Sequence, residues 1–98
     1  PSEKVYEDDD VVAFKDANPA APTHLLVVPT SHIVDLEDAS EADAELLGKL
    51  NLVAQQVADD AGLDSFRLVQ NNGAGAGQSV FHIHYHVLGG RDLSWPPG

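Results

Sequence analysis

Phe81-His82-Ile83-His84-Tyr85-His86-Val87-Leu88 alternates imidazoles with apolar side chains without a break. Period two is the repeat of a β-strand, whose successive side chains point to opposite faces, so the stretch reads as a strand near 80–88. On such a strand His82, His84 and His86 share one face, and Phe81, Ile83, Tyr85 and Val87 turn toward a core. Three of the chain's five histidines thus line one short row. Alternate residues lie about 6.6–6.8 Å apart, which sets His82 and His86 about 13 Å apart along a straight strand. Zinc requires nitrogens at about 2.0–2.1 Å, so two neighbours can converge on one ion but the outer pair cannot without strain. The row suits an elongated ligand better than a point ion. A solvated face or a tag-like histidine cluster is the plain alternative, yet a tag sits at a terminus and carries no interleaved apolar residues. A functional site is the favoured reading.

Ninety-eight residues suffice for one domain, 1–98, with a single core. Hydrophobic content of 43% and charged content of 21% fall within the ordinary globular range. No apolar run approaches the roughly 18 residues of a membrane helix, and no signal peptide is legible. The lack of cysteine excludes disulfides and thiolate metal sites and agrees with a cytoplasmic setting. Sixteen acidic residues against five Lys and Arg give a net charge of −11, a field that repels nucleic acid and anionic membranes alike. A phosphate ligand would therefore depend on local donors: backbone N–H groups, hydroxyls and imidazoles. Host solubility is the plainer reason for the acidity itself.

Toward the N-terminus, Val5-Tyr6 and Val11 to Phe14 flank the acidic run Glu7 to Asp10 and read as hairpin strands near 3–7 and 10–15 joined by a solvated turn. Pro19 and Pro22 keep 16–23 a loop, and the next strand, 24–29, stops at Pro29. Asp16 is as well suited to capping that loop as to touching a ligand, and His24 could be a core histidine. Ser40 with Asp43 resembles a capping box. Leu46, Leu47, Leu50, Val53, Ala54, Val57, Ala58 and Ala61 then recur at spacings of three and four, predicting a helix at 41–60 that Gly62 stops. Gly48 costs about 1 kcal/mol inside a helix, which indicates either close approach of another backbone, a partner subunit's included, or simple tolerance. Ser65 to Asn71 returns to strand. In the loop that follows, Gly73, Gly75 and Gly77 are able to turn backbone N–H groups inward as an anion nest, although neither a P-loop nor a dinucleotide fingerprint is present. The ending Trp95-Pro96-Pro97-Gly98 is a stiff tail expected to dock on its own domain or on a neighbour. The sum is an α+β fold, a five-stranded antiparallel sheet carrying one long helix.

His82 to Leu88 resembles the His-x-His-x-His-x-x signature of the histidine triad (HIT) superfamily of nucleotide hydrolases and transferases. Asp16-Ala-Asn-Pro-Ala-Ala-Pro-Thr-His24, Gly77-Gln78-Ser79 and the Trp95-Pro-Pro-Gly98 ending are similar to the histidine triad nucleotide-binding (HINT) branch, along essentially the whole chain. The resemblance implies a HIT-like fold and a purine nucleoside phosphoramidase that needs no metal and no cofactor, acting on AMP or GMP derivatives. It also implies a homodimer built through the helix and adjoining strands, with Trp95 reaching the partner's site to sort leaving groups. By the same resemblance His84 is the nucleophile that attacks the α-phosphorus, and His86 donates to the phosphate oxygens, its protonated form offsetting the acidity. His82 and His24 orient the network. Ser79, with backbone N–H groups of Gly77 and Gln78, contacts the phosphate or leaving group. Asp16 accepts the ribose hydroxyls, Asn71 lies near the phosphate, and Phe14 and Ala17 lie beside the base. Tyr85 replaces a usual leucine and Ala17 a usual isoleucine, while relatives normally carry a further N-terminal segment, often with zinc-binding cysteines in bacterial members. Two other uses remain open: a nucleotide-binding regulatory module with incidental hydrolysis, and a metallohydrolase built on the histidine row.

Overall fold

The N-terminal hairpin is closed from within by Asp8. In the computed structural model, which describes residues 3–98, strands β1 (Lys4–Glu7) and β2 (Val11–Lys15) flank a turn in which Asp8 Oδ1 accepts the N–H groups of Asp10 and Val11 at 2.8 and 2.9 Å. The other Asp8 oxygen accepts the Tyr6 hydroxyl at 2.6 Å and meets Lys49 Nζ at 2.9 Å. The acidic turn is solvated at Glu7, Asp9 and Asp10, as expected, and anchored at Asp8, because a short carboxylate satisfies the turn's own donors. Tyr6 and Lys49 together with these N–H groups hold the Asp8 carboxyl well below the usual carboxylate range, the Tyr6 bond being the largest cause.

Five strands form one antiparallel sheet in the order β1-β2-β3-β5-β4, where β3 is Thr23–Pro29, β4 Phe66–Val69 and β5 Tyr85–Gly89. Helix α1 (Ala44–Asp60) covers one face, after a single 3-10 turn at Glu41–Asp43 in which the Ser40 N–H donates to Asp43 Oδ2 at 2.9 Å. Leu50, Val53, Ala54, Val57 and Ala58 from the helix pack on Val11, Ala13, Leu25, Val27 and Val87 from the sheet. These are the predicted three-and-four stripe and every second strand residue. At the helix end Gly62 takes φ +76°, and Gly62 and Leu63 return their N–H groups to the Asp59 and Ala58 carbonyls at 2.9 and 3.0 Å, a Schellman stop. At Gly48 a Cβ would meet nothing within 4 Å, so among the described residues no other backbone approaches it.

The expected strand at 80–88 is half as long as the alternation suggests. The last β3–β5 pair is Val27 with Tyr85, and the next partner on that side is close to Pro29, which has no N–H to give. Ile83 instead donates its N–H to the Ile33 carbonyl at 2.6 Å. Ile83 and Val87 are fully buried as expected, but Phe81, beyond the sheet, is 49% exposed and not a core residue. His82 and His84 therefore precede the strand, and only His86 lies within it. Trp95 is 80% exposed and rests lightly on β4, with the Arg67 guanidinium 5.9 Å from its ring centre and bonded to the Ser94 carbonyl at 2.9 Å. Among the described residues no helix is long and apolar enough to cross a membrane.

Candidate active site

Two hydrogen-bond relays set the protons on the triad histidines. The first begins in the proline loop, where the Ala20 N–H donates to His24 Nδ1 at 2.9 Å. An N–H only donates, so Nδ1 presents its lone pair and neutral His24 keeps its proton on Nε2. That nitrogen lies 2.9 Å from His86 Nδ1 and 3.4 Å from Asp16 Oδ2. His86 Nδ1 thus accepts, and the neutral His86 ring holds its proton on Nε2, as a ready donor.

The second relay runs through carbonyl groups, which only accept. His84 Nδ1 lies 2.8 Å from the His82 carbonyl, so Nδ1 is protonated and the lone pair of His84 sits on Nε2. His82 Nε2 lies 2.8 Å from the Pro29 carbonyl and is protonated in turn, leaving its Nδ1 lone pair opposite His32 Nδ1 at 3.1 Å. The rings of His84 and His86 stand 5.0 Å apart, centre to centre, so a free nucleophilic nitrogen and a free N–H donor belong to adjacent rings. The three imidazoles do not form one parallel row: each turns to its own partner once the chain leaves the sheet at His84.

His24 is 8% exposed and its burial draws His86 into the same low-dielectric setting. Burial, reinforced by His84 and His24 and opposed by the Asp16 carboxylate, lowers the His86 imidazole from its ordinary value. The expected protonated His86 is corrected on that ground: the fold favours the neutral ring, and its donor is the Nε2–H that the relay supplies.

Asp16, His24 and His86 each offer a ligand atom within 4.8 Å of the others, which is close enough for a metal ion. The donor chemistry does not fit one. With Ala20 already bonded to Nδ1, a metal on His24 Nε2 requires loss of the ring's proton to leave an imidazolate, or loss of the Ala20 bond.

The glycine loop departs from the expected nest. The N–H groups of Gly77 and Gln78 donate to the Ala74 and Gly73 carbonyls at 3.0 and 3.1 Å, and are not turned toward a ligand. Gln78 is 3% exposed; its side chain accepts the Gly73 N–H at 2.7 Å and donates to the Val34 and Val80 carbonyls at 2.8 and 3.2 Å. It is a buried pin that fixes the loop, and the exposed Ser79 is what the loop presents. Asn71 lies beside the loop, its side-chain nitrogen 3.7 Å from where a Gly77 Cβ would be. Phe14, Leu26 and His86 pair across β2, β3 and β5 and form one row on the sheet face away from the helix. Asp16 Oδ1 caps the loop by accepting the Asn18 N–H at 2.8 Å while Oδ2 faces His24, and Ala17 is exposed.

The HIT domain family matches residues 1–93. The chain belongs to the HIT family. An uncharacterized HIT-like protein of Synechocystis is 56% identical over 99 residues, covering 100% of this chain and 87% of that protein. A 14 kDa zinc-binding protein of Zea mays is 50% identical over 101 residues, covering 100% of this chain and 79% of that protein. The crystal structure of a HIT family hydrolase from Legionella pneumophila superposes with a TM-score of 0.97 at 46% identity, covering 100% of this chain and 89% of that one. The five-stranded antiparallel sheet with its single long helix is thus the fold of a HIT hydrolase.

Two residues with long-range partners in this HIT domain escaped the sequence reading. His32 stands outside the alternating stretch, and only the β3–β5 register, continued past Val27 and Tyr85, runs residues 30–33 alongside His82. Lys49 flanks the apolar stripe, half-exposed, and nothing in the helical period points to the hairpin that it meets.

Proposed function

We propose that the chain is a purine nucleoside phosphoramidase of the HINT type. The observation that carries this reading is the His84 Nδ1 bond to the His82 carbonyl, which leaves Nε2 as the free nucleophile. In the first step Nε2 attacks the α-phosphorus of a nucleoside 5′-phosphoramidate such as an AMP or GMP derivative. The P–N bond to the amine breaks, the amine takes a proton from solvent and leaves, and the nucleotide is held on His84. Water then attacks the phosphorus, the bond to His84 breaks, and the nucleoside monophosphate departs. His86 Nε2–H donates to the non-bridging oxygens as charge builds there, and Ser79 contacts the phosphate or the leaving group. Asp16 has lone pairs beyond the one used by the Asn18 N–H, enough to accept ribose hydroxyls. Phe14 and Ala17 lie by the base, and Asn71 and Gly77 by the phosphate. A homodimer joined through α1 and adjoining strands would let the exposed Trp95 reach the partner's site.

The test is amine release from adenosine 5′-phosphoramidate with chelator present, wild type against His84→Ala. Turnover that survives chelator and vanishes in the mutant supports the reading. Loss of turnover in chelator, restored by zinc, would replace it with the metallohydrolase alternative. Binding of AMP with no turnover by either protein would make the chain a nucleotide-binding module.

A further inference from the structure

We propose that His32 is a positioning residue for the nucleophile, acting through His82; the role given to His84 rests on the function proposed above. His32 follows the end of β3, on a segment held by burial and not left to float. Ile33 and Ile83 are 5% and 0% exposed, and the Ile33 carbonyl accepts the Ile83 N–H at 2.6 Å. Gln78 Nε2 fastens the Val34 carbonyl, and Asn72 Oδ1 accepts the Leu36 and Glu37 N–H groups at 2.7 and 3.3 Å. These bonds place the exposed His32 ring in edge contact with His82, centroids 5.0 Å apart at 71°.

The contact reinforces the His82 tautomer that the Pro29 carbonyl selects. His82 Nε2 faces the Pro29 carbonyl, so its ring is held only while the proton stays on Nε2 and the lone pair on Nδ1. His32 Nδ1–H, at 3.1 Å, gives that lone pair its one hydrogen-bond donor among the described residues. Remove the donor, and the alternative tautomer with the proton on Nδ1 becomes accessible. In that form the Nε2 lone pair opposes the Pro29 carbonyl oxygen and the ring must move. His82 also owns the carbonyl that holds His84 Nδ1–H. Displacing His82 therefore loosens the bond that leaves His84 Nε2 free to attack. His32 touches no reacting atom in this scheme.

The test pairs kinetics with imidazole 15N spectra of the ligand-free full chain, comparing wild type, His32→Ala and His32→Asn. Asparagine keeps an N–H near the Nδ1 position, whereas alanine does not. Expected is a fall in kcat of about three- to tenfold for His32→Ala with KM nearly unchanged, the value of one hydrogen bond, and recovery in His32→Asn. Expected as well is a His82 signal of the Nε2–H form in wild type and His32→Asn that becomes a tautomer mixture in His32→Ala. Unchanged kcat together with an unchanged His82 spectrum would overturn the proposal. So would equal losses in both variants accompanied by a fall in Tm, which would mark a packing role alone. If wild type turns over no phosphoramidate, the proposed function fails separately. The spectra then decide this inference, since the tautomers of His82 and His84 are read without substrate.

Discussion

The two histidine pairs have nearly the same spacing and opposite polarity. His24 with His86 and His32 with His82 meet through nitrogens 2.9 and 3.1 Å apart, with ring centres 5.1 and 5.0 Å apart. The first pair is started by a backbone N–H, from Ala20, which pushes protons outward until His86 presents an N–H. The second ends on carbonyls, of Pro29 and His82, which draw protons inward until His84 presents a lone pair. One residue type thereby yields a donor and a nucleophile side by side, and what distinguishes them is the kind of backbone group that anchors each relay. The pairs also differ in setting: His24 is 8% exposed beside Asp16, whereas His32 lies on the surface.

Replacing the group at the lone-pair end should do the most damage. His84→Ala is expected to reduce phosphoramidate turnover by about 10⁴-fold or more, as removal of a nucleophile does; single-turnover kinetics check it, and retention of a tenth of the activity would remove His84 from the chemistry. At the donor end His86→Ala should cost about 10²–10³-fold in kcat, the usual worth of one preorganised donor to a developing oxyanion. Should His86→Ala fall as far as His84→Ala, the division of roles between the two relays collapses. One step back, His24→Gln keeps an N–H donor where Nε2 stood, and His24→Ala does not. The alanine variant should lose about tenfold in kcat and the glutamine variant much less, because what reaches the substrate is one hydrogen bond removed. Equal losses would mean that His24 serves packing and not proton direction.

How much of this was legible in the sequence follows from the range of each signal. Helix α1 and its stop at Gly62 were readable because periodicity and capping are local, and the buried Ile83 and Val87 followed from alternation. His82, His84 and His86 announced a site for the same reason. Alternation did not show where the strand ends, since that is set by Pro29 on a neighbouring strand. Nor did it show that Phe81 faces solvent. His32 and Lys49 were invisible because their partners, His82 and Asp8, lie 50 and 41 residues away along the chain and meet them only through the fold. The glycine loop looked like an anion nest because glycine permits one. Its N–H groups close on the loop's own carbonyls instead, and Gln78, a polar residue that composition would place outside, is the buried pin.

The smallest expected effect separates the relays by pH. Since the fold lowers the His86 imidazole below its ordinary value, the native chain binds fewer protons there than the unfolded chain does. Stability from this source is complete above the unfolded value of about 6.5 and is lost as pH falls through the native value. Protonation also places an N–H on His86 Nδ1, facing the N–H of His24, so the relay breaks as the charge arrives. Asp8 works in a lower window: its carboxyl is held below the usual range by Tyr6 and Lys49, and its contribution persists until the acid range below the ordinary carboxylate value. Urea melts between pH 7 and 5 should therefore show a fall in stability that His86→Gln reduces and Asp8→Asn leaves in place, although Asp8→Asn lowers Tm at neutral pH. If wild type and His86→Gln lose stability in parallel, the burial of the donor relay is not what sets this dependence, and the contrast between the buried and the exposed pair loses its energetic content.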